Sequence, residues 1–235
     1  MKFSIMFFML LSNVALATPQ VILSPVDHLY IPEGFDSNDS VELVVSGTFP
    51  NTCYARNNVE INVVDDLINI RITALAPESS KKDSRACAEM IVPFKEVVSV
   101  GNLQGGSYLV QVNKGSRYEL SKSLKVLESP SSAIDDHVYA AIDWVEIKGD
   151  GEYALHGWKY SNCFELDKVQ VVSNKSDTFS ILPVMKQLTD FCPMKGMPVV
   201  FSVKLNFSDL KTKKPLLHVR TMDGKSVNTI IDLER

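Results

Sequence analysis

The sequence predicts an all-β protein: two tandem β-sandwich domains of Greek-key type, each closed by one disulfide. Three observations carry that prediction. Apolar residues recur with period two in short runs rich in Val, Ile and Phe, and no segment holds a long 3.6-residue period. The chain repeats itself at an offset of about 105–110 residues. Its four cysteines, Cys53, Cys87, Cys163 and Cys192, fall at matched places in the two halves.

The repeat is an ordered set of matches. GTFPNTC from Gly47 aligns with GWKYSNC from Gly157, each a glycine, five residues and a cysteine. Apolar-alternating stretches precede them, VELVVS and GEYALH. A proline follows each second cysteine, Pro93 after Cys87 and Pro198 after Cys192, and an apolar strand follows each proline. Then come YLVQV and LLHVR, glycine turns at Gly115 and Gly224, and the closing strands RYELSKSLKVLE and SVNTIIDLE. Within each copy Val59–Val64, Ile68–Leu75, Lys168–Val172, Thr178–Leu182 and Phe201–Phe207 read as strands, with Asp65-Asp66 and Ser173–Asp177 as hairpin turns. The polar stretch Ser79–Ala88 has room for one helical turn. About seven short strands per copy imply a Greek-key sandwich.

Four cysteines permit three pairings. The repeat selects pairing within each copy, Cys53 with Cys87 and Cys163 with Cys192. Each bridge closes a loop of about 30 residues, worth roughly 3–4 kcal/mol by loop-closure entropy.

The N-terminus predicts export. Lys2 precedes the apolar run Phe3–Leu11, which is too short to cross a bilayer, and Ala15 and Ala17 supply the small side chains of an A-x-A cleavage site. Cleavage after Ala17 leaves Thr18 first, in a periplasmic or secreted chain with no later membrane span. The expected organisation is a signal peptide at 1–17, a first sandwich at 18–128, a linker at 129–136 around Ser129-Pro130-Ser131-Ser132, and a second sandwich at 137–235.

Gly47, Pro50, Cys53, Cys87, Pro93-Phe94, Leu103, Gly106 and Tyr108 follow the pattern Gly-x-x-Pro-x-x-Cys, Cys, Pro-Phe, Leu-x-x-Gly-x-Tyr. From Val41 to about Leu127 the chain resembles an uncharacterised bacterial extracytoplasmic module. The resemblance implies an Ig-like β-sandwich and a Gram-negative periplasm, and it implies no activity. The second copy keeps Gly157, Cys163, Cys192 and Pro198 but lacks the Pro-Phe pair and the Leu-x-x-Gly-x-Tyr segment.

Composition narrows the function. A formal charge of -4 gives no cationic footprint for nucleic acid or anionic lipid. His28, His137, His156 and His218 show no metal-ligand spacing, and no nucleophile elbow or phosphate-cradling loop is present. Asp36–Asp39 and Asp150–Glu152 read as solvated turns, because neither completes a calcium loop. No catalytic, cofactor-binding or metal-binding residue is therefore expected. Trp144, Trp158 and Tyr160 fit a sandwich core. If the loop ends bind, Phe49, Tyr54, Trp158 and Tyr160 form the candidate patch. The expected function is a non-catalytic binding or structural protein, its partner another envelope protein or surface component. The alternatives are a pilus-type assembly chaperone, which needs an Arg and Lys pair between the domains, and a secreted protease inhibitor.

Overall fold

The computed structural model describes residues 19–77, 87–130, 137–193, 195–208 and 210–234. The expected signal peptide, the polar stretch at 79–86 and most of the expected linker (131–136) lie outside the described residues. Those described form an all-β structure with one 3₁₀ turn at Met222–Gly224. Among them, no helix is long and apolar enough to cross a membrane.

The first module contains β1 (Gln20–Leu23), β2 (Val26–Tyr30), β3 (Ser40–Phe49), β4 (Ala55–Val64), β5 (Leu67–Ala76), β6 (Val92–Asn102), β7 (Gly106–Val112) and β8 (Leu120–Val126). One sheet runs β2-β3-β6. In the other, β5 takes β4 along one edge, and β1 and then β7 along the opposite edge, with β8 outside β7. The β5–β7 pair is parallel. Asn113 fills the gap between β1 and β7: its side chain accepts from Ile72 N at 2.9 Å and donates to Ser24 O at 3.1 Å.

The second module contains β9 (Val138–Tyr139), β10 (Ala141–Gly149), β11 (Glu152–Lys159), β12 (Phe164–Ser173), β13 (Thr178–Gln187), β14 (Met197–Lys204), β15 (Leu216–Thr221) and β16 (Lys225–Ile230). Its topology copies the first strand for strand. The sheet β10-β11-β14 corresponds to β2-β3-β6, and β12-β13-β15-β16 with β9 on β13 corresponds to the other. The parallel pair recurs as β13–β15. The expectation of two tandem sandwiches thus holds in the connectivity.

The repeated residues have physical reasons. Gly47 pairs with Val26 and Phe94, and Gly157 with Ile142 and Val199, beside matching bulges at Asp27 and Asp143. A Cβ on Gly47 would overlap the Pro25 carbonyl oxygen, and one on Gly157 the Ala141 carbonyl oxygen. Backbone approach at the bulge therefore requires glycine in both copies. Gly115 and Gly224 take φ +75° and +64°, as tight turns demand. Tyr108 is buried, and its hydroxyl donates to Gln104 O at 2.9 Å, tying the β6–β7 corner.

Each module has its own core. In the first, Leu43 and Val45 from β3 meet Ile68, Ile70 and Ile72 from β5. In the second, Leu155 meets Ile181, Leu217 and Val219. A third cluster joins them: Tyr30 and Val44 pack on Leu216 and, at its edge, Ile230. Strand β13 is buried on both faces through Met185, one face turned to its own core.

One cysteine bridge is formed and the other is not. Cys53 and Cys87 are bonded, with Cα atoms 5.4 Å apart. Cys163 and Cys192 are free thiols, which corrects the expected second bridge. The two thiols lie side by side and hydrogen-bond to each other, and their sulfurs also engage backbone carbonyls: Cys163 donates to Phe191 O at 3.5 Å and Cys192 to Thr189 O at 3.3 Å.

Candidate functional site

The outer face of β10-β11-β14 carries the most exposed aromatic surface on the described strands. Strand alternation sets which residues point outward. Three cross-strand rows result: Ala141–Trp158–Pro198, Trp144–His156–Val200 and Glu146–Ala154–Ser202. Trp144, Trp158 and Val200 are 50%, 47% and 59% exposed.

Both indoles are held in place. Trp144 lies flat on His156, ring centroids 3.9 Å apart and planes 3° apart. His156 Nε2 meets Glu146 Oε2 at 2.7 Å, and the other Glu146 oxygen accepts from Lys148 at 2.7 Å. The hydrogen bonds from Lys148 and then His156 hold the Glu146 carboxyl below its usual range. The Trp158 indole N–H donates to Asp143 Oδ2 at 2.8 Å. Because Asp143 is the bulged residue, its side chain reaches Trp158 and Trp144 turns outward. Apolar faces held this way lose little side-chain freedom on docking, which favours binding.

The four residues expected as a patch do not come together. Phe49 is 3% exposed, stacked between Phe94 at 4.5 Å and Tyr54 at 6.0 Å, and is core. The turn after β3 folds back beside the Cys53–Cys87 bridge and leaves Tyr54 half-buried against that core. Tyr160 is half-buried, tilted on Phe164 at 5.4 Å. Burial, and then the charge of Asp223, push its hydroxyl upward. Only Trp158 of the four stands on the exposed face. The expectation that Trp144 and Trp158 lie in the core is corrected: the core side of these strands is Ile142, Tyr153 and Leu155. Sequence reasoning missed Val200, and it missed the Trp144–His156–Glu146 stack because the bulge at Asp143 breaks the alternation that would reveal it.

A cleft of about 540 Å³ opens between the modules, lined by Asp39, Glu42, Tyr160, His218 and Arg220 among others. Most of its charged groups are engaged with one another, while His218 Nε2 is buried without a hydrogen-bond partner. Arg220 makes a two-pronged ion pair with Asp39, donates to Gly34 O at 3.3 Å, and lies over the rings of Phe35 and Tyr139 at 5.3 and 5.2 Å. Glu42 accepts from Ser226, and its carboxyl is pushed up by burial, an effect that Ser226 and Arg220 oppose. His218 Nδ1 meets Asn228 Oδ1 at 2.8 Å, and burial pushes the imidazole down to about 4. At the other side of the interface, His28 meets Asp177 at 2.8 Å and Lys122 joins the same carboxylate. Burial would raise Asp177, but His28, Lys122 and Asn174 outweigh it and hold it well below the usual range. Asp39–Arg220, Glu42–Ser226, and His28 and Lys122 with Asp177 all bond across the interface. Among the described residues no group of three or more potential metal ligands converges.

Fold and surface together define a tandem β-sandwich protein with one open aromatic sheet face. Residues 43–124, about a third of the chain from β3 into β8, match the family model of the ORF11 beta-sandwich domain. No curated protein and no solved structure matches the chain.

Proposed function

We propose that the chain is a non-catalytic binding protein of the bacterial cell exterior, periplasmic or secreted, that engages its partner through the β10-β11-β14 face. The observation that carries this reading is the pair of half-exposed, immobilised indoles, Trp144 and Trp158. Large aromatics on a rigid surface are the usual anchors of interfaces. Export is supported by the N-terminal charge, apolar run and A-x-A order, and by the bonded cysteines. The non-catalytic reading is supported by the interdomain cleft, where Asp39, Arg220 and Glu42 are committed to bonds between the modules. A pilus-type chaperone needs its cleft Arg available to a bound subunit, whereas Arg220 is 8% exposed and committed to Asp39.

A photo-crosslinking amino acid at Val200, compared with one at exposed Leu188, tests the reading in the native cell. An adduct from position 200 that disappears with Trp144→Ala supports it. Equal labelling at both positions, or none at 200, overturns it. Fractionation and N-terminal sequencing test export, with Thr18 expected first.

A further inference from the structure

The two modules cover corresponding surfaces unequally. In the first, the second module covers the β2 and β3 part of the outer β2-β3-β6 face, while Lys95 and Val97 on β6 stay exposed: Tyr30 and Val44 pack on Leu216, His28 meets Asp177, and the Tyr30 hydroxyl donates to Lys214 O at 2.9 Å. The covering surface is the outer face of β13-β15-β16. The matched rows of the second module's three-stranded sheet place Trp144 at the position of His28, Ala154 at that of Val44 and Val200 at that of Lys95. Each module thus carries a face that is covered and a face that covers, and the chain joins one of each internally. One of each remains unused: the aromatic face of the second module and the outer face of β5-β7-β8 in the first.

The unused covering face has the right features. Leu109 holds the place of Leu216, since each begins the parallel pairing and each backbone N–H bonds to the aspartate that precedes the partner strand, Asp66 or Asp177. Leu216 is fully buried at the internal contact, whereas Leu109 is 43% exposed. Arg71 and Lys125 are exposed on the same face as Leu109, with Glu60 opposite Arg71, and Asp143, Glu146 and Glu152 edge the aromatic face together with Lys148 and Lys204. The two unused faces therefore set an aliphatic centre against an aromatic one, each edged by charges of both signs.

We propose that the aromatic face of one molecule docks on the outer β5-β7-β8 face of a second copy, repeating between molecules the sheet-on-sheet contact made within the chain. This rests on the aromatic face being a binding surface, and it names the partner. The contact joins two different faces, so it does not close by two-fold symmetry, and successive copies add head to tail.

The test is the weight-average mass of the purified full chain across a concentration series, by sedimentation or light scattering. The expected mass climbs past a dimer, either without limit or to a ring of three or more copies. Trp144→Ala with Val200→Asp disables one face and Leu109→Asp the other, so each variant alone stays monomeric. Their equimolar mixture stops at a dimer, because one variant retains each face. All three positions are half-exposed, and thermal melts check that the variants fold. A monomeric wild type overturns the proposal, as does a plateau at dimer or association that Leu109→Asp leaves intact. If the purified chain is monomeric while position 200 crosslinks a protein of another mass, self-assembly falls and the binding reading stands.

Discussion

His218 makes the stability of this protein fall on mild acidification. The ring is 1% exposed, between the modules, its centroid 5.7 Å from that of Phe35. The Asn228 amide nitrogen donates to Ser226 Oγ at 2.7 Å, which turns Oδ1 toward the imidazole and assigns the ring proton to Nδ1. The folded imidazole is therefore neutral, pushed from 6.5 to about 4 by burial and by the nearby Arg220 charge. Between those values the unfolded chain binds a proton that the folded chain does not. His218's contribution is complete above pH 6.5 and is lost as pH falls toward 4, below which it no longer changes. At about 1.4 kcal/mol per pH unit, acidification from pH 7 to 5 costs about 2 kcal/mol, and the whole window about 3 kcal/mol. Glu42 acts in the opposite direction, because its carboxyl is raised. Asp177 is lowered, so its stabilising effect is lost only in stronger acid. Both remain in His218→Gln and cancel when the variant is subtracted. Urea unfolding at pH 7 and pH 5 should show wild type losing about 2 kcal/mol more than the variant. Equal pH dependence in the two proteins would refute the argument.

Other predictions follow from single contacts. Gly47→Ala and Gly157→Ala force a Cβ into a backbone carbonyl and should each cost roughly 1–3 kcal/mol or more in chemical denaturation, whereas Gly101→Ala meets no atom and should cost about 1 kcal/mol through its positive φ alone. Asp39→Ala strands the buried Arg220 guanidinium and should cost about 3–5 kcal/mol, most of it recovered in Asp39→Ala with Arg220→Met, read by thermal melts of both. The Cys163 thiol is lowered by hydrogen bonds from Cys192, Thr189 and Ser161, while Cys192 is raised by burial and by its neighbour. Glutathione disulfide should therefore join them through attack by Cys163, with mass spectrometry showing the loss of two thiol hydrogens; a persistent mixed disulfide, or thiols that resist the oxidant, would count against that pairing.

Much of the scaffold was legible because it depends on local backbone demands. Gly47 and Gly157 recur because a bulge brings a carbonyl against each, and Gly115 and Gly224 recur because a turn needs positive φ. Such requirements leave the same letter in both copies. The strand runs were legible for the same reason, since one buried face imposes period two. Trp144 was not, because the extra residue at Asp143 shifts the alternation by one. Phe49 was misplaced because a loop-end aromatic looks alike in sequence whether it faces water or stacks on Phe94. The cleft was equally hidden. Asp39 and Arg220 are 181 positions apart and form a pair only when the modules dock.

The sequence by itself determined the all-β class, the duplication, the approximate strand positions and the Cys53–Cys87 pairing, because each leaves a short-range or repeated signature. Tertiary structure alone decided which of two equivalent sheet faces is covered. The rows through His28 and Trp144 occupy matched positions in matched folds. The first meets the other module through His28 and Lys95, which bond to Asp177 and the Asn228 carbonyl, whereas no described residue of the first module covers Trp144, because the second module docks through its other sheet.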